Sequence, residues 1–259
     1  MRYHCLGVLN ASTSSHERKF SVKTTLFPAR SSPSHRVDLR SMHLHGNRLF
    51  TCTTLLAVMA CASYPAHARD KNIANCGERG QLAVQILGSG GPEVAGGRAS
   101  SAYLVWWNGG ARLMIDAGAG SFLRFGESGA HIEDLWHIGL THLHVDHSVD
   151  LVSFTKAGFF TDRTDALSIS GPTAGGVFPA VDVFLRRLFG HDGAYAYLAG
   201  ALDGSGGHFR LEPMVVSAAV GEQQSVLKKP EFLLDSIGVR HGPVPSLAYR
   251  LTAGATTVA

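Results

Sequence analysis

Apolar and polar residues alternate over Gln81–Leu87, a period of two that predicts a strand, and Gly88-Ser89-Gly90-Gly91-Pro92 breaks it. Glu93–Ser100 reads as a Gly-rich loop. Ala102–Trp107 and Arg112–Ile115 read as a hairpin across Asn108-Gly109-Gly110, because Asn-Gly favours the tight turns that join antiparallel strands. Asp116–Gly120 is a tight loop, followed by a helix over Ser121–Phe125, a helical turn at Ile132–Leu135 and a buried strand over His137–Leu140. Ser148–Phe160 has helical spacing, and Leu167–Ser170 is a short strand stopped by Gly171-Pro172. Val177–Phe189 is an amphipathic helix with Arg186 and Arg187 on its wet side. The last third turns to strands at Glu212–Ala219, Phe232–Val239, Ser246–Thr252 and Thr256–Ala259. Strands mixed with helices in this order predict a layered α/β body with mixed sheets.

The stretch before Gln81 follows a different pattern. Met42-His-Leu-His-Gly-Asn-Arg48 leads into Leu49–Ser63, 15 residues without a charge, and then Ala66-His67-Ala68. A basic start, a short apolar run and a small-x-small site read as a secretory signal peptide over 42–68, which places the mature protein in the periplasm or outside the cell. The run falls short of the ~20 residues that span a bilayer, so no stable membrane span is expected. Residues 1–41 hold eight Ser and seven Lys/Arg without apolar periodicity. A transit peptide and an upstream extension ahead of a true start at Met42 are the two readings, the second preferred. A lipid anchor at Cys61 is a third reading of the leader, poorly fitted by Met59. Cleavage after Ala68 leaves Cys76 as the only cysteine, so the body over 69–259 has to be stable without an internal disulfide.

Charge then changes the picture. The net +3 averages a basic leader with a mildly acidic body: residues 70–259 hold 14 Lys/Arg against 18 Asp/Glu. A body of that sign lacks the basic footprint that nucleic-acid binding requires. A 45% apolar share is enough for a buried core and excludes a disordered chain.

The densest chemistry is Thr141-His142-Leu143-His144-Val145-Asp146-His147, directly after an apolar strand. In an extended segment His142 and His144 point the same way, so both can face one metal ion, and the next turn presents Asp146 and His147 to a neighbouring position. Imidazole and carboxylate without thiolate suit zinc, iron or manganese. The plainer alternative is a His-rich surface loop with incidental metal affinity.

His142-x-His144-x-Asp146-His147 after such a strand resembles the signature of the metallo-β-lactamase superfamily, an αββα sandwich with a binuclear metal site. Leu87–Pro92, Gly97–Ser101, Leu113–Gly120, Gly171-Pro172 and Val239-Arg240-His241 with Ser246–Arg250 are similar to the branch containing ribonuclease Z and the zinc-dependent arylsulfatases. The resemblance covers about residues 81–259 and implies that His142, His144 and His241 hold a first metal, and Asp146 and His147 a second. It implies two zinc ions in a complete domain, with manganese or iron as alternatives. A metal-bound hydroxide would attack a phosphate or sulfate ester, with Asp146 as the catalytic residue that orients it. Asp116 would fix the metal loop through hydrogen bonds.

The family pattern also carries a bridging Asp after a strand like Thr256–Ala259 and a last His beyond it. The chain stops before both, so a sandwich with an incomplete second half is expected, and a non-catalytic remnant binding one metal is the competing function. A ribonuclease Z-like phosphodiesterase is a further alternative, but Arg186, Arg187 and Arg210 are the only basic residues between Gly171 and Arg210, too few for a tRNA-gripping arm. The expected partner is a small-molecule ester, with a homodimer as an open alternative. His131, His137, His191 and His208 stand alone and read as surface or satisfied core residues. One of Trp106 and Trp107 is expected in the core, with the core also the safer reading for the other.

Overall fold

The computed structural model describes residues 5–8, 82–94, 96–207 and 209–259. The leader over 42–68, Cys61, Cys76 and His208 lie outside the described residues. Seven strands form the first sheet in sequence order: β1 (Cys5–Val8), β2 (Leu82–Gly88), β3 (Ala102–Trp107), β4 (Gly110–Ile115), β5 (His137–Gly139), β6 (Leu167–Pro172) and β7 (Leu211–Val216). Neighbours run antiparallel from β1 to β4 and parallel from β4 to β7. A second, antiparallel sheet has the order β11-β10-β9-β8, built from β8 (Gln223–Lys229), β9 (Phe232–Val239), β10 (Ser246–Ala253) and β11 (Thr256–Val258).

Two apolar cores follow from the side-chain alternation of the first sheet. On one face Leu104, Trp106, Met114 and Ile138 pack with Phe125, Phe154, Leu185 and Phe189. These last four come from helices α1 (Ser121–Glu127), α3 (Leu151–Gly158) and α4 (Val181–Phe189). On the other face Val105, Trp107 and Leu113 meet Phe232, Leu234, Leu247 and Leu251 of the second sheet. Each fully buried Leu or Phe contributes on the order of 2 kcal/mol. The result is three layers, helix, sheet and sheet, and among the described residues no helix covers the outer face of the second sheet. The fold is therefore the expected sandwich with its second half incomplete. No helix of the described residues is long and apolar enough to cross a membrane.

Several elements differ from the sequence expectations. β6 runs through Gly171-Pro172 instead of stopping before it. Thr173 N donates to Val216 O, so the nitrogen of Pro172 faces the opposite side, where β5 has already ended and no donor is needed. α4 starts at Val181, four residues late: the residue before Pro179 is disfavoured in a helix, Gly176 and Val177 form a turn closed by hydrogen bonds between Gly175 and Phe178, and Ala180 is still extended. The single helix expected over Ser148–Phe160 is two, α2 (Val145–Ser148) and α3, because Asp150 N donates to Ala117 O rather than along the helix. β8 was not foreseen: Gln223-Gln224-Ser225 and Lys228-Lys229 are exposed, and only Val226 is buried, as suits a polar edge strand. α5 (Gly200–Asp203), also unforeseen, follows a short turn at Ala196–Leu198. Trp106 and Trp107 are both buried, one in each core.

Candidate metal centre

The parallel half of the first sheet brings the carboxyl ends of β4, β5, β6 and β7 to one edge, where an open α/β sheet binds its ligands. β4 delivers Asp116 in a left-handed conformation with φ 62°, and Asp116 N donates to Gly139 O at the end of β5. Ala117 N donates to His147 O at 2.7 Å and Gly118 N to Ser101 O at 3.0 Å, which pins this loop against the histidine segment. A Cβ on Gly118 would lie 2.0 Å from Asp146 O, so the close approach itself requires glycine there.

β5 delivers Thr141 and then His142-Leu143-His144, with His144 extended at φ −66°, ψ 151° before α2 begins. The alternation of that segment turns both rings to one side, with His142 Nε2 3.1 Å from His144 Nδ1. His241 enters from the turn between β9 and β10, and the start of β10 is anchored to the histidine segment by Leu247 N donating to Thr141 O at 2.8 Å. One nitrogen each from His142, His144 and His241 lies within 4.8 Å of the others. The His142 and His147 ring centroids are 4.0 Å apart, and His147 Nε2 lies 3.5 Å from Asp146 Oδ2. All five residues singled out in the sequence thus stand at one sheet edge. The His137, His131 and His191 side chains belong to other surroundings. His137 is buried with Nε2 2.7 Å from Ser170 Oγ, His131 is exposed, and His191 pairs with Asp203 at the surface.

Asp116 is the buried hub. Its Oδ1 accepts from Thr141 N at 2.8 Å and Thr141 Oγ1 at 2.9 Å, and its Oδ2 from His147 Nδ1 at 2.7 Å and Ser101 Oγ at 3.2 Å. Thr141, Ser101 and Asp150 escaped the sequence reading as working residues. Asp150 Oδ2 accepts from Phe122 N at 2.9 Å and so caps α1, whose first residue follows Gly120, which has no side chain to do it. The signal for Thr141 and Ser101 was their place beside the histidine run and in the Gly-rich loop.

Electrostatics fit the same residues to a cation. Burial, then repulsion from His147, pushes the His142 pKa down to about 4, with the His144 and His241 imidazoles adding to the effect, so this ring is neutral and offers a lone pair at pH 7. Burial would also lower His147, but the hydrogen bond and charge of Asp116, with Asp146 behind it, raise it instead. The hydrogen bond to Asp116 places a proton on Nδ1 of His147, so in the neutral ring it is Nε2, on the Asp146 side, that carries the lone pair a metal would take. Three converging imidazoles with a carboxylate–imidazole pair beside them form a donor set suited to zinc, with manganese or iron as harder alternatives.

A family model described as the Metallo-beta-lactamase superfamily matches residues 95–245. Among curated relatives, ribonuclease Z of Haloferax volcanii is 38% identical over 94 residues, 35% of this chain and 28% of that protein. Ribonuclease Z of Methanopyrus kandleri is 36% identical over 96 residues, 37% of this chain and 33% of that protein. The chain thus spans about a third of the length of these relatives. Among solved structures, the metallo-beta-lactamase fold protein YhfI of Bacillus subtilis matches with a TM-score of 0.50 at 20% identity, over 68% of this chain and 61% of that one. The short form of human tRNase Z matches with a TM-score of 0.50 at 18% identity, over 67% of this chain and 66% of that one. At these identities the two structures speak to the fold alone.

Proposed function

Because the chain belongs to the metallo-beta-lactamase superfamily, we propose that it is an exported metal-dependent hydrolase of phosphate esters, phosphodiesters first, with sulfate esters as the second substrate class. The observation that carries this reading is the convergence of His142, His144 and His241 within 4.8 Å beside the Asp146–His147 pair. The ribonuclease Z relatives favour the phosphodiester bond. The acidic body and the scarcity of basic residues between Gly171 and Arg210 favour a small ester over RNA. The pattern over 42–68 supports export to the periplasm or beyond.

In this reading His142, His144 and His241 hold one divalent ion, and Asp146 and His147 hold a second. A divalent ion supplies Lewis acidity at the ester oxygen and brings the pKa of water down to about 7. The Asp146 carboxylate accepts a hydrogen bond from the attacking water and so aims its lone pair at phosphorus or sulfur. Asp116 keeps His147 in the tautomer that leaves Nε2 free, and Thr141 holds Asp116 in place.

The test is hydrolysis of bis(4-nitrophenyl) phosphate, 4-nitrophenyl sulfate and a precursor tRNA by the full chain supplied with zinc or manganese, alongside metal counting by elemental analysis. Turnover of the diester, lost in His142→Ala, is the expected result. Two bound equivalents with no ester cleaved would overturn it. A second reading, a single-metal protein without turnover, is favoured by one observation: among the described residues no other group of three metal-ligating side chains gathers. One bound equivalent and no turnover would establish that reading. For export, N-terminal sequencing of the mature protein should begin at Arg69.

A further inference from the structure

The strand ends at the histidine edge enclose more than the candidate metal centre. Beside it lies a cavity of about 340 Å³, walled by Thr173 and Ala174 beyond β6, Ala218–Val220 beyond β7, and the 239–245 segment that carries His241. Most of this wall is alanine, valine and proline, side chains that cannot fold inward and fill it. Among the described residues, Arg240 and His241 are its only ionisable lining groups, and no carboxylate lines it.

We propose that Arg240 is a substrate-recognition residue, and that the cavity takes the anionic, non-reacting part of a small ester whose scissile group lies at the histidines. The inference rests on the hydrolase reading above. Arg112, Arg186 and Arg250 each meet a carboxylate, at Asp134, Asp182 and Asp235. Among the described residues no hydrogen bond or ion pair engages the Arg240 guanidinium, which is exposed at the cavity. A cation left without a partner in an otherwise mildly acidic body has its two parallel N–H groups available for an oxyanion, whether phosphate or carboxylate.

The placement links that cation to the site. Arg240 immediately precedes His241, and His241 both lines the cavity and joins the three-histidine group. A ligand seated in the cavity can therefore meet His241 with one end and Arg240 with its anionic end. The volume lies at the small end of ligand sites, which run from about 300 to 1,000 Å³. It suits one ring or sugar bearing a charged group. The substrate class is thus a small organic ester with a second anion remote from the bond that breaks.

The test is binding of phenylphosphonate and of benzoate to the full chain by titration calorimetry, with and without EDTA. In EDTA the wild type should bind at least one of the two probes, Arg240→Gln should lose at least ten-fold in affinity, and Arg240→Lys should lose less. Arg187→Gln, which removes an exposed charge on α4, should bind as the wild type does. The probe bound more tightly tells whether the remote anion is a phosphate or a carboxylate. No binding by the wild type in EDTA, unchanged binding by Arg240→Gln, or an equal loss in Arg187→Gln overturns the proposal. This readout needs neither metal nor turnover, so an inactive protein would count against the hydrolase reading and leave the recognition result standing.

Discussion

Asp116 Oδ2 lies 2.7 Å from His147 Nδ1, and the same carboxylate accepts both the backbone and the hydroxyl of Thr141 at the start of the histidine segment. One buried acid therefore sets the direction of one imidazole and the position of the strand end that carries two more. Asp116→Asn keeps the shape but removes the charge, so His147 is no longer held in one tautomer. Metal affinity should fall by roughly 10- to 100-fold, the usual effect of losing a ligand's supporting partner. Competition with a colorimetric chelator measures it, and an unchanged affinity would show that His147 orientation does not matter to binding.

His142→Ala and His241→Ala each remove one of three converging nitrogens and should abolish tight metal binding, whereas His131→Ala, at an exposed position 11 residues before His142, should not. Elemental analysis of the three purified variants decides the matter. Equal loss in all three would remove His241 from the ligand set.

Gly118→Ala should be among the most damaging single-methyl changes in the chain. The new Cβ would lie 2.0 Å from Asp146 O and 2.8 Å from Ser100 Cβ, and a backbone oxygen cannot step aside as a flexible side chain can. Overpacking of this kind costs about 3 kcal/mol. A urea midpoint close to that of the wild type would mean that the loop moves freely.

Acid should destabilise the fold well before the carboxylates titrate. Burial pushes the His137 pKa from 6.5 down to about 3, and its contribution to stability is whole above pH 6.5. As the pH falls from there toward 3 the unfolded chain takes up the proton first, so that contribution is progressively lost, by at most about 5 kcal/mol. The melting temperature should drop between pH 7 and pH 4, and His137→Gln should flatten the drop. An equal slope in both proteins would place the acid sensitivity elsewhere, with His142 the next group to examine.

Much of the site was legible because its densest part is local: His142 to His147 is one run, and an extended segment must turn alternate residues to one face. The hairpin was equally plain, since Asn108 and Gly109 adopt φ 53° and 77° at its turn, although β4 already begins at Gly110. His241 stands 99 positions from His142 and was reached through family resemblance, since its approach depends on how the two sheets pack. Residues whose work is non-local left no pattern to read. Asp150 caps a helix 28 positions earlier, and Arg163 donates to the carbonyls of Ile132, Glu133 and Leu135 about 30 positions away. Ser170 joins His137 to Tyr249 across both sheets. β8 was missed because an edge strand with one buried residue has almost no alternation to show.

The two adjacent tryptophans of β3 give the protein a built-in optical readout. Trp106 sits on the helix side with its Nε1 donating to Gln85 Oε1 at 2.9 Å, while Trp107 lies between the sheets. The third, Trp136, stacks edge-on against Phe232 under the Arg112 guanidinium, on the sheet–sheet side. Emission from a protein reduced to Trp106 follows the helix layer, and emission from one reduced to Trp107 follows the interface between sheets. A single strand can therefore report, by colour and intensity, whether the two layers come apart together or in turn.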